Sequence, residues 1–424
     1  MNIPNTNKPR IVVIGGGFAG ISFIRNLKKS QFQVVLFDKR NYHTFQPLLY
    51  QVSTAGLEPD SIAYPLRKIF RKHKDFHFRL AEVERIDPEN KTVHTSIGDL
   101  SFDYLVIATG TRTNFFGNKS IEENSMPMKT VPQALNIRSL MLQNIEKADI
   151  TDDPEERRCL LNFVIAGAGP TGVELAGALA EFRKGILKND YPHIAPEDME
   201  VHLVEGGDRV LSPMSKFASA KAKKFLEQMG VHVHLNTLVE SYDGTTVTTS
   251  KGSTLEAATF IWAAGVTGAP VVATSDNITL DKGNRYIVNE FSQIEGYTYL
   301  FALGDIALMK TERFPHGHPQ VAQPAIQQGK KLASNLMRSL KGREMKPFRY
   351  TDKGTMATIG RNKAVADIKN MRFGGLFAWI LWMVVHLFFL VGFRNRVVTF
   401  FNWTYNYINY DKAARLIIRP FKRP

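Results

Sequence analysis

A chain of 424 residues, 44% of them apolar and 22% charged, is long enough for two or three domains with sizeable buried cores. Its mean hydropathy of −0.18 excludes a polytopic membrane protein. A net charge of +14 calls for anionic partners; with no Lys/Arg-rich run and no RNA-binding or zinc motif, nucleic acid and a metal centre are set aside, leaving anionic cofactors and anionic lipid.

Cys159 is the only cysteine, so an internal disulfide and a cysteine-based metal site are both ruled out, as suits a reducing cytoplasm. The first residues, MNIPNTNKPRIVVIGGG, contain no apolar signal region, and the globular part is expected to stay in the cytoplasm.

RIVVIGGGFAGISFIRNL begins at Arg10. Ile11 to Ile14 has the continuous apolar character of a buried parallel strand. Gly15, Gly17 and Gly20 complete G-x-G-x-x-G, a helical pattern follows, and FQVVLFDKR supplies a second strand ending at Asp38. In this order the motif has a mechanism. Gly15 permits the tight turn, Gly17 lets backbone approach a pyrophosphate, and Gly20 lets helix and strand pack closely. The helix N-terminus offers N–H groups to phosphate, and Asp38 is placed to accept from a ribose. Farther on, FDYLVIATGT (Phe102–Thr111) is another strand; Ala108, Thr109 and Gly110 form its small-residue end and are assigned to the cofactor site.

A second fingerprint lies in LNFVIAGAGPTGVELAGALAEF, with Gly167, Gly169 and Gly172. MEVHLVEGGDRVL then ends a strand at Glu205, after an extended connection, LKNDYPHIAPEDM. Two fingerprints mean two dinucleotides, one flavin and one nicotinamide. A carboxylate at Glu205 favours a free 2′-hydroxyl, hence NADH over NADPH. Glu174 has two readings: an acid in the first helical turn that complements the dipole, or a carboxylate that hydrogen-bonds nicotinamide or relays protons. ATFIWAAGVTG (Ala258–Gly268) repeats the strand-and-turn pattern, with Ala264 and Gly265 assigned to the cofactor site, and YTYLFALGDIAL (Tyr297–Leu308) ends with Gly304 and Asp305. Two such returns suggest one domain inserted in the other.

In VAQPAIQQGKKLASNL, Pro324 suits a first helical turn, and the helix is expected to start there. Gln323 and Gln327, four apart, share a face and can donate to or accept from a ligand oxygen; the alternative is that they only cap and solvate the helix. His43, in NYHTFQ, reads equally as near the flavin, surface or core. His316 and His318 read as loop residues, and Phe115 and Phe116 as packing.

FGGLFAWILWMVVHLFFLVGF, from Phe373 to Phe393, contains no Asp, Glu, Lys or Arg. Its 21 residues reach the roughly 20 needed to span a bilayer. Lys369 and Arg372 before it and Arg394 and Arg396 after it put positive charge at both ends, against a single span. The tail beyond carries Trp403, Tyr405, Tyr407 and Tyr410, then Lys412, Arg415, Arg419, Lys422 and Arg423 against Asp411. The expectation is a monotopic anchor in the cytoplasmic leaflet; one transmembrane helix and a buried core helix are the competing readings.

The order GGGFAG, ATG, GAGPTGVELAG, WAAG and LGD resembles the flavoproteins with two dinucleotide-binding domains. The lone Cys159 separates it from their disulfide reductases and sulfide:quinone reductases. VAQPAIQQGKKLASNL, NYHTFQPLLYQVSTAGL and the apolar C-terminus resemble the type II NADH:quinone oxidoreductases. The resemblance implies that Gly15, Gly16, Gly17, Phe18, Ala19, Asp38, Lys39, Val83, Asp305, Ala322 and Gln323 contact FAD. It implies NADH at Gly167, Gly169, Gly172 and Glu205, and a catalytic role for Glu174. A lysine that part of the family carries in the C-terminal helices is absent around Trp382 and Met383.

The expected fold is α/β: two Rossmann-like dinucleotide-binding domains, one inserted in the other, plus a C-terminal helical membrane anchor. Residues 1–125 and 285–335 are assigned to FAD, 126–284 to NADH and 336–424 to the membrane. The expected activity is NADH oxidation with two-electron reduction of a membrane quinone, without proton pumping, on the cytoplasmic face of the cell membrane; a homodimer is left open. The alternatives are an NAD(P)H-dependent flavin reductase for a soluble redox protein and a non-catalytic NADH-sensing membrane protein.

Overall fold

A computed structural model describes residues 1–27, 31–409 and 414–422. The chain forms two compact units, each discontinuous in sequence.

The first unit comprises Met1–His43, Tyr64–Arg112 and Val266–Asp352. Its core is a five-stranded parallel sheet in the order Leu300–Ala302, Tyr104–Ile107, Arg10–Ile14, Gln33–Asp38, Phe76–Leu80. Ile11, Val12 and Val13 are fully buried because both faces of the central strand are covered. One face packs on the helices Phe18–Asn26 and Ala322–Ser339, the other on an apolar cluster around Ile86, Val93 and Tyr286.

The second unit comprises Thr44–Ala63, Thr113–Gly265 and Lys353–Pro424. Its parallel sheet repeats the same plan: Met126–Pro127, Thr259–Trp262, Phe163–Ala166, Val201–Val204, Val231–His234. In both sheets the fingerprint strand is central and the strand ending at or before the acid is its neighbour. The long connection before Glu205 is partly helical, with a π-helical turn at Arg183–Leu187 that continues the Pro170–Phe182 helix. The C-terminal residues begin as an antiparallel sheet, Thr355–Gly360, Lys363–Ile368 and Met371–Gly375. It lies against the Pro170–Phe182 helix at Gly177, where a Cβ would stand 1.6 Å from Ile359 O, so only glycine permits the contact.

The segment Phe373–Phe393 is not one continuous element. Phe373 to Gly375 finish a strand, Leu376–Phe389 is a helix of 14 residues, and Leu390 to Gly392 turn the chain into a second helix, Phe393–Asn409. Gly375 (φ 86°) and Gly392 (φ 93°) make the two breaks in the left-handed region that favours glycine. At 1.5 Å per residue the first helix is about 21 Å long, short of the roughly 30 Å hydrocarbon layer. Among the described residues no helix is long and apolar enough to cross a membrane. One side of the first helix is buried through Ala378 and Trp382, and Asn395 ties the second down by donating to Asp60 O at 2.8 Å. The other side exposes Phe377, Ile380, Val384 and Phe388 at helical spacing, continued by Phe400 and Phe401. Tyr410, Asp411, Lys412 and Arg423 lie outside the described residues.

Candidate active site

In the first unit, Gly15 has φ 106°, and a Cβ there would stand 2.3 Å from Ala108 O. A Cβ on Gly20 would stand 2.1 Å from Gly15 O, whereas one on Gly17 would meet nothing within 4 Å. The turn is therefore closed on the protein side and open at Gly17, which caps the Phe18–Asn26 helix without a side-chain hydrogen bond. Asp38 Oδ2 accepts the Gly16 N–H at 2.6 Å and Oδ1 accepts the Arg40 N–H at 2.8 Å. Burial raises its pKa, and those two hydrogen bonds oppose the rise. Ala19 is buried, Lys39 pairs with Glu82 at 2.5 Å on the surface, and Val83 is buried at the start of its strand. Ala108 donates its N–H to Ile14 O at 2.8 Å and leads into Thr109 and Gly110.

Asp305 sits in a single 3-10 turn, Gly304–Ile306. A Cβ on Gly304 would come within 3.1 Å of Ala325 and 3.3 Å of Ala19. The helix after it starts at Ala322, two residues before the expected Pro324, which is its third residue; the missing N–H is one the helix leaves unbonded in any case. This helix packs tightly on Phe18–Asn26: a Cβ on Gly329 would stand 2.5 Å from Ala19 O, and Ser22 Oγ donates to Ile326 O at 2.7 Å. The fold thus brings Gly304, Asp305, Ala322 and Gln323 to the fingerprint helix. Gln327 is a clamp: Nε2 donates to Thr351 O at 2.9 Å and Oε1 accepts the Thr351 N–H at 3.0 Å. Its neighbour Gln328, buried and not singled out in the sequence, accepts the Gly304 N–H at 2.7 Å.

Beside Thr109, which the sequence assigns to the cofactor site, stand His43, which it leaves ambiguous, and Thr111, which it does not single out. His43 Nδ1 lies 3.1 Å from Gly16 O, and burial lowers its pKa to about 4, so the ring is neutral and Nδ1 donates. Its Nε2 is buried without a hydrogen-bond partner, as are the hydroxyls of Thr109 and Thr111. Orphaned polar atoms beside an open glycine turn fit a bound dinucleotide, which would satisfy them. No local sequence signal marks His43 and Thr111 apart from their nearness to the glycine turns.

The second unit repeats the glycine geometry. Gly167 has φ 99°, and a Cβ on it would stand 2.7 Å from Ala263 O; on Gly172 it would stand 1.8 Å from Gly167 O; on Gly169 it would meet nothing within 4 Å. Glu205 Oε2 accepts the Ala168 N–H at 2.6 Å and Oε1 accepts the Gly207 N–H at 2.8 Å. Ala264 and Gly265 follow the strand Thr259–Trp262, and Phe116 presses on Gly265, where a Cβ would stand 2.7 Å from its ring. Phe115 and Phe116 pack on Trp262, whose indole donates to Asn114 O at 2.8 Å.

Glu174 is the fifth residue of its helix and buried, which corrects the reading of it as a first-turn acid. The Thr358 N–H approaches its Oε1 at 3.4 Å. Burial pushes its pKa up to about 8; the Thr358 N–H and the Trp382 indole N–H, which is buried without a well-formed hydrogen bond, oppose the rise. At neutral pH this carboxyl holds its proton. Trp382 stacks on His386 at 4.2 Å, and burial lowers the His386 pKa to about 4, so the only ionisable group of the apolar segment is uncharged. Burial and then Glu174 raise the Tyr50 hydroxyl well above the ordinary tyrosine range. Tyr50 OH accepts from Gln51 Nε2 at 2.8 Å, and Gln51 Oε1 accepts from the Trp403 indole at 2.8 Å. Tyr50, Gln51, Thr358 and Trp403 were not recognised as neighbours of Glu174 from the sequence.

His318 packs among Phe314, Phe348 and Tyr350. Among the described residues no three His, Cys, Asp or Glu side chains are arranged to hold a metal.

Two like-ordered parallel sheets, each with a glycine turn closed by an acid, define an oxidoreductase fold for two dinucleotides. The pyridine nucleotide-disulphide oxidoreductase profile matches residues 9–329, and the NDH2 C-terminal domain profile matches residues 353–409. The chain is 37% identical to the type II NADH:quinone oxidoreductase NdhA of Mycobacterium tuberculosis over 96% of this chain and 89% of that one. It is 30% identical to the external alternative NADH-ubiquinone oxidoreductase of Yarrowia lipolytica mitochondria, over 94% and 79%. The NDH2 of Plasmodium falciparum, solved in complex with NADH, superposes with a TM-score of 0.88 over 97% of this chain and 100% of that one, at 21% identity, a likeness of fold. The chain belongs to the type II NADH:quinone oxidoreductase family.

Proposed function

We propose that this protein oxidises NADH and reduces a membrane quinone by two electrons, with FAD as resident cofactor and without moving protons across the membrane. The observation that carries the reading is the paired glycine geometry: two turns, at Gly17 and Gly169, each open to a pyrophosphate and each braced by its own acid. When bound, FAD would supply the hydride acceptance from NADH and the two-electron transfer onward. The first unit would hold it, the Thr113–Gly265 part of the second unit would hold NADH, and the exposed side of Leu376–Phe389 and Phe393–Asn409 would meet the membrane.

The chain's own residues supply binding and charge. The helix N-termini at Gly17 and Gly169 receive pyrophosphate. Asp38 and Glu205, each with its lone pairs oriented by backbone N–H groups, accept from ribose hydroxyls. The N-terminus of Ala322–Ser339, with Asp305 and Gln323, would favour negative charge on a flavin bound next to it. Gln323 and Gln327 serve the quinone end. Glu174 holds a proton at neutral pH and is the candidate to pass it on.

The exposed side of Leu376–Phe389 and Phe393–Asn409 lies on the membrane as a peripheral, monotopic contact on the cytoplasmic face. The basic residues Arg372, Arg394 and Arg396 suit anionic headgroups. A second copy of the chain is compatible with this placement.

The test is spectroscopic. Protein purified with stoichiometric flavin should lose its flavin absorbance on adding NADH and recover it on adding a quinone in detergent. Flavin that NADH does not bleach would overturn the reading. Bleaching that a soluble redox protein reverses and quinone does not would favour the flavin-reductase alternative.

A further inference from the structure

Tyr50, Gln51 and Trp403 form a chain of hydrogen bonds that neither fingerprint uses. Tyr50 and Gln51 lie on the short helix Leu49–Ser53, and Trp403 lies on the helix Phe393–Asn409. Gln51 Nε2 donates to Tyr50 OH at 2.8 Å, and Gln51 Oε1 accepts the Trp403 indole N–H at 2.8 Å. The same two segments meet again at Gly56, whose carbonyl accepts from Asn406 Nδ2 at 3.2 Å. The Gly56 and Leu57 N–H groups donate to Gln51 O at 2.7 and 3.1 Å, and Ser53 Oγ and Thr54 Oγ1 each donate to Tyr50 O at 2.9 Å. The backbone carrying both side chains is thus held in place.

The chain has a direction. An indole N–H can only donate, so the Gln51 oxygen must face Trp403 and the Gln51 amide nitrogen must face Tyr50. The Tyr50 oxygen is then the acceptor of that bond, and its own proton points away from Gln51. Tyr50 is buried, and its helix packs on Pro170–Phe182, the helix that carries Glu174.

We propose that Gln51 is a positioning residue: oriented by Trp403, it turns the Tyr50 O–H toward Glu174, where it stabilises the carboxylate left when Glu174 gives up its proton. The inference rests on Glu174 as the proton carrier of the reading above. Other donors at Glu174 are weak: the Thr358 N–H stands 3.4 Å away, and the Trp382 indole N–H makes no well-formed hydrogen bond. The ionisable neighbours do not replace Tyr50. His386, stacked on Trp382, is neutral, and Glu181, two turns along the Glu174 helix, accepts the Arg361 N–H. A donor aimed at the charged form lowers the cost of ionising a buried acid. Burial and the charge of Glu174 hold the Tyr50 pKa well above the ordinary tyrosine value, so the phenol stays a donor and does not compete for the proton. Gln51 and Trp403 carry no titratable group, so the direction of the chain is the same at every working pH.

The experiment is an infrared difference titration of the full-length, flavin-loaded protein, reading the protonated-carboxyl band that Glu174→Gln removes. In the unaltered protein this band should titrate at about pH 8. Tyr50→Phe deletes one oxygen and should raise the midpoint by about half a unit to one unit. Trp403→Phe should raise it in the same direction. Tyr50→Phe combined with Trp403→Phe should titrate like Tyr50→Phe alone, because Trp403 acts through Tyr50. Thr404→Val, at an exposed position beside Trp403, should leave the midpoint unchanged. Flavin content and thermal melting establish that each variant is folded; a tie between helices that served stability alone would lower Tm and leave the midpoint in place. An unchanged midpoint in Tyr50→Phe would overturn the proposal. So would additive rises in the double variant, or the lack in the unaltered protein of any band that Glu174→Gln removes. Rapid-mixing reoxidation by quinone separates the proposal from the reading it rests on: raised midpoints with reoxidation unchanged across the pH range support the chain and remove Glu174 from the quinone step.

Discussion

Glu205 Oε2 accepts the Ala168 N–H at 2.6 Å, so the acid proposed for the nicotinamide ribose also closes the glycine turn proposed for the pyrophosphate. One side chain thereby sets both ends of the nucleotide site. Charged hydrogen bonds of this kind contribute about 1.5–3 kcal/mol each. Glu205→Ala should cut kcat/KM for NADH at least tenfold and raise the NADPH-to-NADH ratio, since a repulsion of the 2′-phosphate is removed together with an attraction to the 2′-hydroxyl. Steady-state kinetics with both nucleotides decides it. Comparable efficiency of the unaltered protein with NADH and NADPH would remove Glu205 from this role.

Glu174 makes stability depend on pH. Its pKa rises from the ordinary glutamate range to about 8 on folding. Between those values the folded chain holds a proton that the unfolded chain has released, so stability falls as pH rises through the window, by up to about 1.4 kcal/mol per pH unit. Below the unfolded pKa both states are protonated and the full contribution is present. Glu174→Gln, which stays neutral throughout, should melt with a flatter pH profile between pH 6 and 8.5. Parallel profiles for the two proteins would mean that the carboxyl is not held neutral.

How far the sequence carries depends on how local the constraint is. Gly15, Gly17 and Gly20 are legible because a turn, an open approach and a helix–strand contact each demand glycine within a few residues. The Glu174 environment is not legible, because it is built by Thr358, which lies 184 residues away, and by Trp382 beyond it. Phe373–Phe393 misleads because mean hydropathy does not register chain breaks. Gly375 and Gly392 were visible as letters, but their positive φ belongs to the fold. The Ala322 helix start differs from the expected Pro324 for a similar reason: proline fits any of the first-turn positions.

The apolar surface calls for point substitutions. Removing everything after Phe373 would strip Trp382 from Glu174 and Asn395 from the Asp60 backbone, so a truncated chain would report on folding as well as anchoring. Phe388→Asp with Phe400→Asp alters only side chains that are 68% and 52% exposed. Each buried phenylalanine contributes about 1.5–3 kcal/mol to leaving water, so the pair should weaken binding to vesicles on the order of a hundredfold. Flavin reduction by NADH should be unchanged. Co-sedimentation with anionic vesicles reads the first and stopped-flow absorbance the second. Undiminished sedimentation of the double variant would place the membrane contact elsewhere.

Gln327 ties the helix that starts at Ala322 to the Thr351 peptide through two hydrogen bonds. Gln327→Leu keeps the bulk of the side chain and removes both. The bonds are partly exposed, so their loss should cost on the order of 1 kcal/mol of stability, seen as a fall of a few degrees in Tm. If the glutamine face serves the quinone end, flavin reoxidation by quinone should slow severalfold, while flavin content and flavin reduction by NADH stay near those of the unaltered protein. Gln323→Leu, which leaves the Thr351 clamp intact, should slow reoxidation as well, separating a direct role of the glutamine face from the effect of losing the clamp. Rapid mixing resolves the two half-reactions. Equal slowing of reduction and reoxidation in Gln327→Leu would mean that this helix face does not belong to the quinone end.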